Sequence, residues 1–244
     1  MTLIDHFAEL RTRLFIALGA WVVGAVAAFY FRFALLSWLQ APLPDGIRLV
    51  ATGILEPFNV TMQITAFFGL ALAAPVIVGQ IWGFIAPGLY PEERRWAVPF
   101  VLMTALAFSA GILFAYYVIL PLALPIIVGF LAGEIELLPR IGDYISKVLL
   151  YMAVFGIIFE MPIVSFLLAR LGLVQAAMLR QYRRYAVVVA CILAAIITPT
   201  ADPFNFALVA LPLVILYEVS ILVVQVSQQK VPLARDDSGF TNPH

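Results

Sequence analysis

A long apolar segment in the second half of the chain most constrains its fold. Between Lys147 and Arg170 lie 22 residues with one charged side chain, that of Glu160. At about 1.5 Å per helical residue, the segment is long enough to cross a bilayer, with Glu160 near the midplane. An ionisable group at that depth costs at least about 2.5 kcal/mol, which makes Glu160 a functional candidate. Pro162 predicts a kink beside it.

The composition extends this interpretation to the whole chain. Of its 244 residues, 64% are hydrophobic and 11% are charged, whereas a soluble domain is about 25% charged. We therefore predict a polytopic membrane protein. The net charge of zero offers no basic face for nucleic acid. The single cysteine, Cys191, excludes an intramolecular disulfide, and the two histidines lie near opposite termini, which gives no paired imidazole site.

Apolar runs predict six membrane helices, at about 14–31, 60–82, 98–120, 148–169, 186–198 and 206–224. The fifth run has only 13 residues and reaches about 20 Å, so it must recruit flanking residues or thin the bilayer. The Pro- and Gly-rich segments 32–58 and 121–147 predict short interfacial helices and turns that form an outer cap. Residues 1–227 form one domain in this interpretation, and the polar segment 228–244 is a flexible cytoplasmic tail.

Basic residues predict the orientation of these helices. One side of the predicted topology carries ten of the 14 Lys and Arg residues, namely Arg11, Arg13, Arg94, Arg95, Arg170, Arg180, Arg183, Arg184, Lys230 and Arg235. The side richer in Lys and Arg is cytoplasmic, which places both termini inside the cell. An even number of spans requires the same.

Further acidic residues invite two interpretations each. Glu218 lies in the sixth apolar run. It is either a proton-relay partner of Glu160 or a carboxyl group close enough to the interface to reach headgroup water. At the inner side, HFAELRTRL (6–14) and YPEERR (90–95) place carboxylates beside arginines. Glu9 and Arg13 are spaced to pair within a helix, and Glu93 suits a helical first turn. Alternatively, Glu9 and Glu93 form an acidic site for a cationic ligand. Asp202 in TPTADPF (198–204) predicts a turn on the outer side.

Five motifs together resemble the TatC family of the twin-arginine protein translocase. They are HFAELRTRL, PVIVGQIWGFIAPGLYPEERR (75–95), FSAGILFAYYVILP (108–121), FGIIFEMPI (155–163) and TPTADPF. The resemblance runs in order from about residue 6 to about residue 225. It implies an all-α integral membrane protein with six helices in a concave, glove-like bundle, short fifth and sixth helices and a structured outer-loop cap.

The resemblance also implies a function. Such proteins are not enzymes and use no cofactor, metal or nucleotide. They bind twin-arginine signal peptides at the cytoplasmic face, recruit TatA- and TatB-like single-span subunits, and export folded proteins with the proton-motive force. The implied location is the bacterial inner membrane, in a larger complex with self-association and lipid contact.

The resemblance assigns residues as well. Glu9, Arg11 and Glu93 match the signal-peptide site, with Phe84 and Leu89 flanking it. Glu160 matches an intramembrane glutamate that contacts a partner or the signal peptide. Pro42 and Asp202 match an outer-cap proline and an acidic turn residue.

Two positions depart from the family pattern. Gln63 stands where relatives often have lysine, and Phe206 stands where they often have glutamine. Gln63 leaves the chain without the membrane-edge charge that the lysine supplies. Phe206 cannot make the polar partner contact that glutamine would make at the outer turn.

The residues argue against two other classes of function. A proton-coupled secondary transporter using Glu160 and Glu218 predicts repeats and paired broken helices, and the sequence has neither. An intramembrane protease needs a Ser–His, Ser–Lys or paired aspartate site at membrane depth, which the sequence does not offer.

Overall fold

The computed structural model describes residues 3–85, 97–129, 137–198 and 202–229. Within these ranges no strand forms, apart from an isolated bridge between Val50 and Arg140. The helices are α1 Leu3–Tyr30, α2 Arg32–Gln40, α3 Glu56–Ile85, α4 Ala97–Phe114, α5 Leu120–Gly129, α6 Ile141–Phe159, α7 Met161–Arg170, α8 Ala176–Gln181, α9 Arg183–Ile197 and α10 Pro203–Gln229. A π-helical turn, Ala115–Ile119, joins α4 to α5.

Five stretches of the described helices are long and apolar enough to cross a membrane: Phe7–Tyr30, Glu56–Phe84, Val98–Gly129, Ile141–Arg170 and Pro203–Gln228. The sixth predicted span corresponds to α10, and the fifth to α9. With 15 residues, α9 is about 22 Å long and therefore short, as predicted. Many large apolar side chains along these helices are exposed, as lipid-facing residues are in a membrane protein.

The prediction that the sixth helix is also short is wrong, because α10 has 27 residues. The backbone N–H of Asn205 donates to Asp202 Oδ1 at 2.7 Å, so the aspartate caps a helix that begins at Pro203. At the other end, polar side chains continue the helix beyond the apolar run. Gln228 Oε1 accepts from the backbone N–H of Ala176 at 3.3 Å, which fastens the end of α10 to α8.

The third span is also longer than predicted. Residues 121–129 were expected in a loop, yet α5 continues through Pro121 and Pro125 to Gly129. A proline frees backbone groups that cannot pair with water in lipid. Membrane helices therefore tolerate proline where a local adjustment of the backbone pairs these groups again. The π-helical turn directly before Pro121 is such an adjustment. By contrast, the fourth span is interrupted close to Pro162, where a kink was predicted: α6 ends at Phe159, α7 begins at Met161, and Glu160 lies between them.

Two close helix crossings organise the bundle. A Cβ atom on Gly24 of α1 would lie 2.5 Å from the carbonyl oxygen of Gly69 on α3. A Cβ atom on Gly111 of α4 would lie 2.7 Å from the carbonyl carbon of Phe155 on α6. Small residues allow this approach, and van der Waals packing at such contacts drives association in lipid.

One end of the bundle carries α2, and we call it the α2 end; the opposite end, which carries Glu9, is the Glu9 end. Tyr116 Oη and Tyr144 Oη donate to the carbonyl oxygens of Trp38 and Leu39 at 2.6 and 2.8 Å, which holds the last turn of α2 on α4–α6. The rings of Trp38 and Tyr116 stack at 3.7 Å. The short helix and turns expected in residues 32–58 are thus present. Pro42 lies in the turn after α2, where Leu43 N–H donates to the carbonyl oxygen of Gln40 at 3.0 Å.

Candidate functional site

The first predicted site residue, Glu9, lies on α1 and is held by an arginine one turn later. Arg13 Nε and Nη2 both donate to Glu9 Oε1, at 2.9 and 2.6 Å. The two side chains are 23% and 26% exposed, so the ion pair is partly shielded from water. Both interpretations of this segment remain compatible with the geometry, since a carboxylate that pairs with Arg13 through one oxygen still presents the other.

The same arginine reaches across to α3. A Cβ atom on Gly83 would lie 2.8 Å from Arg13 Cζ, so the guanidinium packs directly against the backbone of α3 at that position. Phe84 is the next residue and is half-buried, and Arg11 is exposed on α1. Through Arg13, the last turn of α3 therefore lies close to Glu9, and Phe84 belongs to that turn. Leu89 and Glu93 lie outside the described residues.

Glu160 lies at the break between α6 and α7, beside α4. The Thr104 hydroxyl and the backbone of Phe108, both on α4, lie near its carboxyl group. Both Glu160 Oε1 and Thr104 Oγ1 are buried, and neither has a hydrogen-bond partner among the described residues. A buried polar group without a partner costs about 1–3 kcal/mol, so this pair has unused capacity for hydrogen bonding.

Glu218 has a different environment. Its Oε2 accepts from Arg183 Nη2 at 2.7 Å, and the side chains of the two residues are 42% and 51% exposed. Within the described part of the chain, no hydrogen bond or ion pair joins Glu218 to Glu160. Glu218 therefore belongs to a polar contact between α9 and α10. Nearby, Arg180 donates to Gln225, and Tyr217 Oη donates to the carbonyl oxygen of Leu179 at 2.8 Å.

Sequence reasoning missed the role of Glu56, the first residue of α3. Its Oε2 accepts from the backbone N–H groups of Thr52 and Gly53 at 2.8 and 3.2 Å, and its Oε1 accepts from that of Gly142 at 2.9 Å. Arg140 Nη2 lies 3.8 Å from Oε2. The available signal was an acidic residue directly before a proline at a helix start.

Gln63 and Phe206, the two positions that depart from the family pattern, both contact neighbouring parts of the bundle. Ser146 Oγ donates to Gln63 Oε1 at 2.9 Å, so Gln63 joins α3 to α6 at the α2 end. Both side chains line an open groove of about 740 Å³, together with Asn59 and Asp143. Phe206 packs against the apolar core of the bundle.

These features define a polytopic helical membrane protein with a paired carboxylate at one end and a buried carboxyl within the bundle. The family model described as Sec-independent protein translocase protein (TatC) matches residues 5–212. Two relatives with that description come from Deinococcus radiodurans, 42% identical over 94% of this chain and 88% of the relative, and Magnetococcus marinus, 39% identical over 90% and 82%.

Solved structures give the same result. A crystal structure of the twin arginine translocase receptor TatC superposes with a TM-score of 0.81 at 37% identity, and covers 91% of this chain and 99% of its own. A second, in the detergent DDM, gives a TM-score of 0.80 at 38% identity. The chain therefore belongs to the TatC family. It is a membrane-embedded subunit of the Sec-independent translocase that works with other Tat subunits, and it is a transport component and not an enzyme.

Proposed function

We propose that the chain is the receptor subunit that binds twin-arginine signal peptides at the Glu9 end. The observation that carries this proposal is the Glu9 carboxylate, fixed at one oxygen by Arg13 and partly shielded from water. Guanidinium and carboxylate groups match geometrically and form charge-assisted hydrogen bonds. Arg11 and Glu93 complete the site in this proposal, with Phe84 and Leu89 beside it. The solved relatives are themselves described as twin arginine translocase receptors, which supports the proposal.

The proposal includes location and energy source. The Glu9 end faces the cytoplasm of a bacterial inner membrane, and both termini are cytoplasmic. Of the predicted tail, residues 228–244, Gln228 and Gln229 belong to α10, and residues 230–244 lie outside the described residues. Bound signal peptides lead to recruitment of TatA- and TatB-like single-span subunits, and the proton-motive force drives export of folded cargo. The excess of basic residues on the side of Arg11 and Arg13 supports this orientation.

A binding assay tests the receptor role. Purified protein in lipid nanodiscs is titrated with a labelled signal peptide that carries paired arginines, and with the same peptide carrying paired lysines. Each charge-assisted hydrogen bond contributes about 1.5–3 kcal/mol, so Glu9→Gln or Glu93→Gln is expected to weaken the arginine peptide roughly tenfold or more.

The control is Asp45→Asn, which neutralises an exposed carboxylate at the opposite, α2 end. This variant is expected to bind like the unmodified protein. Equal affinity for the arginine and lysine peptides, or unchanged binding by both glutamine variants, would disprove the receptor role.

A further inference from the structure

The crossing of α1 and α3 also brings Arg13 against Gly83. The Nε and Nη2 atoms of Arg13 face Glu9, while Nη1 faces the backbone of α3 at Gly83. Any larger residue at position 83 would occupy the space that the guanidinium now fills. The arginine is therefore enclosed between a carboxylate on its own helix and a glycine 70 residues later in the chain.

This geometry differs from an ordinary surface pair of residues four apart. Such pairs contribute little, because two flexible side chains must be ordered in high dielectric. Here Gly83 confines the guanidinium, and a confined partner restricts the rotamers of Glu9. Both donors bind Oε1, and among the described residues Glu9 Oε2 accepts no hydrogen bond.

We propose that Arg13 and Gly83 are positioning residues that orient Glu9 so that Oε2 receives a guanidinium of the signal peptide. The inference rests on the proposed receptor function. An arginine that competed with the signal peptide would occupy both carboxylate oxygens, whereas Arg13 holds one. Its positive charge repels an incoming guanidinium only weakly, because the pair is partly exposed and screened by salt.

Gly83→Ala tests the proposal without changing either charged residue. The added methyl group meets the far end of a flexible side chain, so Arg13 is displaced while the fold persists. Alanine also favours the helix more than glycine. Gly79→Ala is the matched control: it lies one turn earlier on α3, and a Cβ atom there meets nothing within 4 Å.

The readout is the ratio of affinities for the arginine and lysine peptides in nanodiscs. Loss of a preoriented carboxylate is expected to lower this ratio roughly three- to tenfold in Gly83→Ala, and to leave it unchanged in Gly79→Ala. Arg13→Gln is expected to lower the ratio to the same extent. In the Arg13→Gln background, Gly83→Ala is expected to have no further effect, because the two residues act through one contact.

Arg13→Lys separates geometry from charge, since an ammonium cannot present the fixed fork of donors. We expect this variant to lose selectivity as Arg13→Gln does. Three results would each overturn the positioning role. The first is a selectivity ratio in Gly83→Ala that equals or exceeds that of the unmodified protein. The others are additive effects in the double variant and an unchanged selectivity ratio in Arg13→Lys. If Glu9→Gln alone keeps the full preference for arginine, the positioning role of Arg13 and Gly83 is overturned. If Glu93→Gln keeps it as well, the receptor function itself is disproved.

Discussion

Glu56 connects two segments that are distant in sequence at the α2 end of the bundle. Its carboxylate accepts three backbone N–H groups, from Thr52, Gly53 and Gly142. Hydrogen bonds to an ionised acceptor contribute about 1.5–3 kcal/mol each, and backbone donors left without a partner add a further cost. This one side chain therefore fixes the loop before α3 to the start of α6.

Glu56→Gln is expected to destabilise the protein by about 1–3 kcal/mol. Both carboxylate oxygens of Glu56 accept from backbone N–H groups. The amide nitrogen of glutamine is a donor and cannot replace one of these oxygens, so at least one hydrogen bond is lost. Thermal unfolding in detergent, followed by intrinsic fluorescence, measures the change. Asp45→Asn, an exposed carboxylate at the same end, is the control, and a transition unchanged by Glu56→Gln would contradict the assigned role.

Glu160 and Thr104 provide a second prediction at the scale of single residues. Both have a buried oxygen without a partner among the described residues, and a polar group from a neighbouring membrane helix would satisfy them. Interhelical polar contacts contribute about 0.6–2 kcal/mol, so Glu160→Ala is expected to reduce copurification of a single-span Tat subunit roughly three- to thirtyfold.

Glu160→Gln is the informative companion variant, because it keeps hydrogen-bonding capacity without a charge. Partial recovery of the partner is expected from it. The amount of TatC-family chain in the membrane must stay constant across the variants. Normal partner recovery with Glu160→Ala would exclude a partner contact at this position.

At the scale of helices, the crossing of α4 and α6 depends on Gly111. A Cβ atom there meets the backbone of Phe155, which cannot move aside as a side chain can. Gly111→Ala is therefore expected to destabilise the bundle by about 1–3 kcal/mol through overpacking. Gly19→Ala on α1 is the control, since nothing lies within 4 Å of its Cβ position.

The two variants are expected to differ in melting temperature when measured in the same thermal unfolding assay. Gly19→Ala is expected to leave the melting temperature unchanged or raise it, because alanine is the better helix former. Gly111→Ala is expected to lower it and to reduce the fraction of monodisperse protein in size-exclusion chromatography. Equal melting temperatures for the two variants would show that the crossing has room for a methyl group.

The sequence predicted the helices better than their ends. Apolar runs located the spans because lipid contact requires continuous hydrophobic surface. Pro162 predicted a kink, and the helix is interrupted close to it, between α6 and α7. The extension of α10 to Gln229 was not predicted, because Gln228 is polar and its contact with Ala176 depends on the folded arrangement. The contact of Arg13 with Gly83 was unpredictable for the same reason, since it arises from the crossing of α1 and α3.

At the scale of the whole molecule, α9 sets the topology. With 15 residues it is about 22 Å long, which is less than the roughly 30 Å of a bilayer core. If α9 spans nonetheless, the bilayer thins beside it or flanking residues enter the membrane. The number of crossings would then be six, and both chain ends would lie on one side. If α9 does not span, α10 must begin on the same side as α8.

Cysteine labelling in intact cells distinguishes these arrangements. Cys191 is replaced by alanine, and single cysteines are introduced at Asp45, Leu173 and Phe204, whose side chains are all exposed. A membrane-impermeant maleimide is expected to label positions 45 and 204 from outside, and position 173 only after permeabilisation. Labelling of 173 with protection of 45 would reverse the orientation that the ten basic residues predict. Protection of 204 together with 173 would instead show that α9 does not cross the membrane, and the short helix would then lie on the same side as the Glu9 end.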